Sequence, residues 1–137
     1  MKYWLVKSEP GSWSWDDHVK KGVEPWDGVR NHQAANNMKA MAKGDRAFFY
    51  HSVNEKRIMG TLGVVKEAYL DPTDAAGKFV CVDFRALEPF KTPVTLADIK
   101  ADERFADLAL IRQSRLSVMP IDSTSWKRLC KMGGIKA

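Results

Sequence analysis

Aromatic and amide-bearing residues are concentrated in predicted loops and at strand ends of this 137-residue chain. Trp26 follows Pro25 in a segment without helical or strand periodicity, and Asn31 lies further along the same segment. An indole plane can stack on the face of a nucleobase, a contact worth about 1–3 kcal/mol per base. A side-chain amide carries a donor and an acceptor, which suits the hydrogen-bonding edge of a base. These residue types favour binding of a base.

Patterns typical of catalysis are weak. The three histidines, His18, His32 and His51, are scattered, and no His/Cys spacing suits zinc. No G-x-G-x-x-G or Walker motif is present to cradle a nucleotide cofactor. His51 and Ser52 are adjacent in a predicted strand, so they point to opposite faces and cannot form a simple base–nucleophile pair. We predict no catalytic residue, no metal and no cofactor.

The composition and charge suit one soluble domain spanning residues 1–137. Of the residues, 45% are hydrophobic and 28% charged, which is typical of a globular protein. The formal net charge is +5, and the segment 112–137 carries all of it, with six basic residues against one acidic residue. Such a basic patch attracts phosphate, although an ordinary solvated surface explains it equally well.

The location is predicted to be cytoplasmic, of bacterial type, with association to the nucleoid as an option. Cys81 lies in an apolar strand-like run and Cys130 on an apolar helical stripe, so both are expected to be reduced core residues. The opening MKYWLVKSEP does not resemble a signal peptide, and no apolar window has the roughly 18 residues of a membrane helix. We expect no membrane partner.

Strands are predicted to outnumber long helices. Helix starts are indicated at Ser14 and Thr95 by capping patterns and near Asp122 or Ser123, while Ala34, Met38 and Met41 fall at helical spacing. Strands are predicted at residues 2–7, 46–52, 57–70, 78–90 and 115–121, with an irregular loop at 23–31. Gly60 and Gly63 suggest a bulge or a close backbone approach. The fold class is therefore α+β, with a strongly bent mixed sheet or small barrel flanked by short helices.

Several motifs in fixed order resemble the EVE domain family, and the resemblance covers essentially the whole chain. The matching residues are Trp4–Pro10, Trp26–Asn31, Ala34, Asn37, Met41, Gly44–Asp45, Phe49–Ser52, Gly60, Val65, Glu67–Tyr69, Arg112–Val118, Pro120, Trp126 and Met132–Gly134. EVE domains belong to the PUA-like superfamily, alongside YTH and ASCH domains. The resemblance implies a compact PUA-like fold that recognises a flipped-out modified base without catalysis. A modified cytosine in DNA, such as 5-methylcytosine, is the expected ligand, with a modified RNA base as the alternative.

The resemblance also assigns site residues. By similarity to the cage tryptophan of YTH domains, Trp26 is expected to form a pocket wall rather than an anchor that packs its loop. The predicted base-binding pocket comprises Ser8, Trp26, Val29, Asn31, Tyr50, Ser52, Gln113 and Leu116. The predicted phosphate or backbone contacts are Lys7, Arg30, Arg112 and Arg115. Glu9 and His51 are predicted to shape the pocket, Glu9 by pairing with Arg30.

Structural roles compete with some of these assignments. Asn31 could equally cap the following helix. Strand alternation places either Tyr50 and Ser52 or Phe49 and His51 toward the pocket, and we prefer the first pair. Trp13 and Trp15 flank a helix start, which favours packing over a role as a lid. Residues 112–115 could also be an exposed basic turn.

In the predicted mechanism, one nucleotide is extruded and its base stacks on Trp26, while Asn31 and Ser8 bind the base edge. The basic C-terminal quarter neutralises phosphate, so the affinity falls steeply with salt. The partners are DNA or RNA carrying a modified base and a separate effector protein, and the chain is expected to be a monomer. The alternatives are an enzyme acting on a modified nucleobase through Glu9 or His51, and a small-molecule or protein-interaction module on the same fold.

Overall fold

The computed structural model describes residues 1–137 and alternates strands with short helices. In chain order the elements are β1 (Tyr3–Ser8), α1 (Trp15–Lys21), β2 (Val23–Pro25), α2 (His32–Lys39), β3 (Arg46–His51), β4 (Arg57–Leu70), β5 (Val80–Thr95), α3 (Leu96–Lys100), a 3-10 turn (Glu103–Phe105), α4 (Ala109–Arg112), β6 (Val118–Ile121) and α5 (Ser123–Met132). The predicted bounds of β4 are confirmed. No helix is long and apolar enough to cross a membrane.

One six-stranded sheet organises the chain, in the order β2-β5-β4-β3-β1-β6. The pair of β1 and β3 is parallel and every other pair is antiparallel. The long strands β4 and β5 pair with several register shifts, including shifts on both sides of Gly60. Bulges of this kind bend a sheet and increase its twist. The predicted α+β class with a bent mixed sheet is confirmed.

The predicted strands differ from the structure most at three places, and by one or two residues at the ends of β1 and β3 and the start of β5. Residues Val23–Pro25 form the edge strand β2, which pairs with β5, whereas the sequence predicts an irregular loop over 23–31. Proline is tolerated there because an edge strand leaves one row of backbone groups unpaired. Strand β5 continues to Thr95 instead of ending at Phe90. Strand β6 begins at Val118, and the three preceding residues lie in a turn and bend.

Side-chain caps fix the helix starts that flank the site. Ser14 and Asp17 form a capping box at α1, and Thr95 and Asp98 form another at α3, as the sequence predicts. The core lies between the sheet and the helices, where the ring of Phe48 stacks on that of Trp126 at 3.9 Å. The start of β1 packs against α5, where Tyr3 stacks on Trp126. The other end of β1, at Lys7 and Ser8, is free of this contact.

Candidate functional site

A cavity of about 500 Å³ opens at the carboxyl end of β1. Its lining comprises residues 7–9, 12–13, 24–31 and 117. We call this the aromatic cavity because the rings of Trp13 and Trp26 are its largest side chains. Its volume lies in the range of about 300–1,000 Å³ that is common for small-ligand sites. The structure therefore supplies a pocket large enough for one nucleobase.

Trp26 belongs both to the wall of this cavity and to the hydrophobic core. Its backbone N–H donates to the carbonyl of Val82 at 2.7 Å, which extends the pairing of β2 with β5. Its ring meets those of Phe49 and Phe84 edge-on, with centroids 5.3 and 5.8 Å away. Only 8% of the residue is exposed. Trp26 therefore lines the cavity, and the same side chain also anchors its segment to the core.

Trp13 is the largest of the lining residues that the predicted pocket omits; Ser12, Glu24, Pro25, Asp27, Gly28 and Ser117 are the others. It is half-buried beside Trp26 in the cavity, and its indole Nε1 donates to Nδ1 of His18 at 3.0 Å. The position directly before the capping Ser14 predicts only packing against α1. A second aromatic residue close to Trp26 can be recognised only once α1 is folded against β2.

His18 lies fully buried beneath the two tryptophans. Its Nδ1 accepts from Trp13, so the proton of the neutral ring lies on Nε2, which donates to the carbonyl of Phe84 at 2.9 Å. Burial lowers the pKa of His18, against the opposing effects of the Phe84 carbonyl and the charge of Glu24. The imidazole is therefore a neutral support for Trp13 at neutral pH.

The buried carboxylate of Asp71 accepts hydrogen bonds from the segment 27–31 and holds it in place. Gly28, which has a φ of 79°, donates its N–H to Asp71 Oδ2 at 2.8 Å. Arg30 donates to the same oxygen at 3.1 Å and to the hydroxyl of Thr73. Burial raises the pKa of Asp71, but hydrogen bonds from Thr73, Gly28 and Arg30 outweigh it and lower the pKa to about 2. The carboxylate thus shapes the cavity rim.

The predicted pair of Glu9 and Arg30 is wrong. Glu9 instead accepts from the backbone N–H of Gly11 at 3.0 Å and from the hydroxyl of Ser12 at 3.3 Å. Local acceptance wins because the turn brings these donors to the carboxylate, whereas Arg30 has a buried anion of its own. Both residues still line the cavity, and the Arg30 guanidinium is engaged in shaping its rim.

Asn31 performs the capping role that competed with its predicted site role. Its Oδ1 accepts from the N–H of Ala34 at 2.9 Å and so caps α2. The residue also lines the aromatic cavity, and its amide nitrogen has no protein partner. Ser8 behaves similarly, since its hydroxyl donates to the carbonyl of Trp13 while its oxygen lone pairs remain beside the cavity.

The predicted residue Val29 lines the aromatic cavity, as does Lys7. Six other predicted residues, Tyr50, Ser52, Arg112, Gln113, Arg115 and Leu116, line two adjoining depressions instead. Residues 31, 33 and 112–116, which include Arg112, Gln113, Arg115 and Leu116, line a polar depression of about 340 Å³. A basic depression of about 480 Å³ is lined by Lys7, Tyr50, Ser52, Val53, Lys56, Leu96, Lys100, Leu110, Ser114, Arg115 and Ser117. Asn31 is shared by the cavity and the polar depression, and Lys7 and Ser117 by the cavity and the basic one.

The parallel pairing of β1 with β3 explains why Tyr50 and Ser52, both predicted to line the base pocket, lie close to its edge. Lys7 pairs with Tyr50 and Ser8 with His51, so both strands end at the same edge. Tyr50 and Ser52 line the basic depression, where burial raises the pKa of Tyr50 to about 12. Phe49 is buried against Trp26 instead. Neither of the two alternative pairs lines the aromatic cavity, and the preferred pair, Tyr50 and Ser52, faces the neighbouring basic depression.

His51 and Arg112 are held by local partners. The Nε2 atom of buried His51 accepts from the N–H of Trp15 at 2.9 Å, and its Nδ1 meets Glu55 at 2.9 Å. His51 therefore positions the start of α1 and does not itself line the cavity. The Arg112 guanidinium donates to the carbonyl of Ala106 and to Asp107. Its side chain is thus tied to the turn before α4.

No set of three or more His, Cys, Asp and Glu side chains is arranged to hold a metal ion. Both cysteines are buried free thiols, as predicted, and burial raises the pKa of each, that of Cys130 to about 11.

The lining of the aromatic cavity carries more acidic than basic side chains, with Glu9, Glu24 and Asp27 against two basic residues. The arrangement can stack on a planar ring and accept hydrogen bonds from its edge.

Comparison with known proteins identifies the family. The EVE domain model matches residues 2–132. This chain belongs to the EVE domain family. Thymocyte nuclear protein 1 from Danio rerio is 35% identical over 158 aligned positions, which cover 90% of this chain and 68% of that protein. An NMR structure of a protein from Rhodopseudomonas palustris is 60% identical, with a TM-score of 0.93 and coverage of 98% of this chain and 94% of that one.

Two further structures bear on the fold of this EVE domain. The crystal structure of human THYN1 in complex with DNA containing 5-methylcytosine is 29% identical, with a TM-score of 0.92 and coverage of 100% of both chains. The ASCH structure from Zymomonas mobilis is 16% identical, with a TM-score of 0.60 and coverage of 96% and 95%. The latter shows a shared fold alone. Together they confirm the predicted PUA-like fold.

Proposed function

We propose that this EVE domain, folding as one unit over residues 1–137, binds DNA by accepting one flipped-out modified cytosine in the aromatic cavity. The observation that carries this proposal is the cavity bounded by Trp13 and Trp26 at the end of β1. Aromatic side chains retain an extruded base by stacking, which compensates for the few kcal/mol lost on unstacking it from its neighbours.

The polar groups of the cavity suit the edge of cytosine. Glu24 and Asp27 supply acceptor oxygens, and Glu or Asp is the side chain that accepts from the N4 amino group of this base. The free amide nitrogen of Asn31 supplies a donor for a ring nitrogen or carbonyl oxygen. A 5-methyl group adds apolar area, and its burial against an indole contributes roughly 25 cal/mol per Å².

The DNA-bound human relative supports this choice of ligand. Human THYN1 was crystallised with DNA that contains 5-methylcytosine, and its fold matches this chain over the full length of both. A fold shared at 29% identity leaves the ligand of each member to its own site residues. The proposal therefore rests jointly on that complex and on the aromatic cavity of this chain.

We further propose that binding proceeds without turnover. Glu9 and His51, the two residues that the sequence offers as acid or base for the enzyme alternative, are hydrogen-bonded within the protein. Both carboxylate oxygens of Glu9 accept hydrogen bonds in its own turn, and both ring nitrogens of buried His51 are paired away from the cavity. A general base has to reach the proton that it removes, within about 2.6–3.2 Å or through one water.

The test is fluorescence anisotropy with matched oligonucleotides carrying cytosine, 5-methylcytosine, 5-hydroxymethylcytosine or N6-methyladenine, as DNA and as RNA. We expect the tightest binding for a modified cytosine in DNA. Trp13→Ala removes one stacking wall and should weaken binding of the modified oligonucleotide by about fivefold or more, given about 1–3 kcal/mol per stacked base. Trp26→Phe retains a ring for the contacts with Phe49 and Phe84 while shrinking the wall, and should weaken binding with the fold intact.

Tyr3→Ala is the matched control. Tyr3 is a half-buried aromatic residue at the other end of β1, where it lines a separate depression and stacks on Trp126 at 4.5 Å. Equal binding of all oligonucleotides, or an equal loss in Tyr3→Ala and Trp13→Ala, would contradict the proposal. Mass spectrometry of each oligonucleotide after long incubation tests turnover, because an altered mass would favour the enzyme alternative.

A further inference from the structure

The basic depression beside the aromatic cavity carries positive charge without any acidic side chain in its lining. Lys7, Lys56, Lys100 and Arg115 contribute four cations, drawn from β1, the β3–β4 turn, α3 and the turn before β6. The aromatic cavity next to it has the opposite balance, with three acidic residues and two basic ones. The basic depression and the aromatic cavity therefore have net charges of opposite sign.

Three of these cations have no anionic partner in the protein. None of the five salt bridges includes Lys56, Lys100 or Arg115, and none of the three donates a side-chain hydrogen bond. By contrast, Arg30 in the lining of the aromatic cavity is paired with Asp71. Unpaired cations gathered around a concave surface concentrate positive potential and attract an anion.

The turn between β3 and β4 has an unusual backbone at this point. Val53 and Lys56 both have positive φ angles, 70° and 49°, and both line the basic depression. Such a conformation is an outlier for a β-branched residue such as Val53, which is also 60% exposed. Backbone strain of this kind persists where the surrounding structure imposes it, and it clusters at binding sites.

Lys7 and Ser117 join the depression to the aromatic cavity. Both residues line both surfaces, and Lys7 Nζ donates to the carbonyl of Ser114 at 2.9 Å, which ties the turn before β6 to β1. The Lys7 amine also lies 5.7 Å from the centre of the Tyr50 ring. A strand whose base enters the cavity can continue over this bridge into the basic depression.

We infer that the phosphodiester backbone next to the flipped base crosses the basic depression and is held there by Lys56, Lys100 and Arg115. The inference rests on the proposed function and adds the direction in which the bound strand leaves the cavity. It also changes the phosphate contacts predicted from sequence: Lys56 and Lys100 are added, and α5 of the basic C-terminal quarter is left out because it packs at the other end of β1. Trp126 of α5 stacks on Tyr3 at the start of β1, whereas Lys7 lies near its end.

The test compares two double variants with the same change in charge. Lys56→Gln with Lys100→Gln removes two cations of the depression, and Lys127→Gln with Lys131→Gln removes two exposed cations of α5. Binding of modified and unmodified duplexes is measured over a salt series. For the depression variant, the slope of log K against log salt should become shallower by about 1 for each phosphate that is no longer neutralised. Both duplexes should weaken by the same factor, and the α5 variant should match the wild-type protein.

An unchanged slope in the depression variant, or an equal change in the α5 variant, would overturn the inference. A wild-type protein that binds both duplexes equally, with the depression variant alone weakened, would sink the proposed base recognition and retain the basic depression as a phosphate-binding surface. Absence of binding by the wild-type protein would overturn both. The thermal midpoint of each variant confirms that it is folded.

Discussion

The indole Nε1 of Trp13 donates a hydrogen bond to Nδ1 of His18 over 3.0 Å. The other ring nitrogen of His18 donates to the carbonyl of Phe84 in β5, so one buried imidazole connects the cavity wall to the sheet. This chain of bonds requires the neutral ring with its proton on Nε2. The orientation of Trp13, and with it the width of the aromatic cavity, therefore depends on a residue that does not line it.

Replacing His18 by phenylalanine is expected to weaken both the fold and ligand binding. The ring volume is nearly retained, but Trp13 Nε1 and the Phe84 carbonyl lose their partner, and the buried carbonyl alone costs about 1–3 kcal/mol when it is left unpaired. Urea denaturation and anisotropy with a 5-methylcytosine duplex measure the two effects. His32→Phe is the control, since His32 is the exposed first residue of α2 and packs on Phe79. An unaltered affinity in folded His18→Phe would argue against this support of Trp13.

The same histidine predicts a loss of stability in mild acid. Burial lowers the pKa of His18 in the folded protein below its ordinary value of 6.5. Below about pH 6.5 the unfolded chain then binds more protons than the folded one, so stability falls as the pH decreases. We expect the free energy of unfolding to drop more between about pH 7.5 and about pH 5 in the wild-type protein than in His18→Phe. Parallel curves for the two proteins would rule out His18 as the source.

Local signals in the sequence are sufficient to predict much of the fold. The capping boxes at Ser14 and Thr95 depend on side chains three residues apart, and the bulges at Gly60 follow from a missing Cβ. The short strand β2 escapes prediction because three residues carry little periodicity. It forms because β5 presents a free edge, which is a property of the folded sheet.

The site is only partly predictable because its closing contacts are remote in sequence. Asp71 lies 41 residues from Arg30, and nothing near Arg30 indicates this partner over Glu9. Trp13 joins Trp26 only after α1 has packed on β2. Trp26 and Asn31, by contrast, can be predicted from sequence. An aromatic or amide residue in a segment without periodicity suggests a role in binding a ligand or capping a helix.

Asp71→Asn tests the anchor behind the cavity rim. The pKa of this buried carboxyl is lowered to about 2, so the ionised form favours the folded state by about 2 kcal/mol at neutral pH. This contribution is present above the unfolded pKa of about 3.9 and is lost as the pH falls toward 2. We expect Asp71→Asn to be less stable than the wild-type protein at neutral pH, with the difference vanishing in strong acid.

Asp102→Asn is the matched control for this change. The pKa of Asp102 is also lowered to about 2, through its pair with Arg104, but the pair lies at the surface. Solvent screens such pairs, so the substitution should change stability little. Equal losses in the two variants would show that burial of Asp71 does not strengthen its bonds to Gly28, Arg30 and Thr73.

Gly60→Ala is expected to destabilise the bulged centre of the sheet. A Cβ atom at Gly60 would lie 2.6 Å from the Trp15 ring and 2.8 Å from the backbone oxygen of Glu88. Overpacking of this kind costs typically 1–3 kcal/mol. At Gly63 the added atom would lie 3.2 Å from the flexible, exposed side chain of Leu87, so Gly63→Ala should cost little. Denaturant titration of both variants checks the ranking, and a larger loss at Gly63 would contradict it.

Two substitutions at Asn31 separate helix capping from base recognition. Asn31→Ser retains an oxygen that accepts from the N–H of Ala34, and serine caps about as well as asparagine, so stability should hold. Asn31→Ala removes the cap and should cost about 1 kcal/mol. Both variants lose the free amide nitrogen at the cavity, so both should weaken binding of the modified duplex by a similar factor.

The two Asn31 variants show whether the affinity for the modified duplex changes together with the stability of the fold. A loss of affinity in Asn31→Ser with an unchanged unfolding midpoint assigns the amide nitrogen to the ligand. Wild-type affinity in Asn31→Ser, together with a loss in Asn31→Ala, would make Asn31 a cap alone, with its contribution limited to holding α2 beside the cavity. Chemical denaturation and anisotropy on the same preparations distinguish these outcomes, because the two variants differ only in whether the acceptor for Ala34 remains.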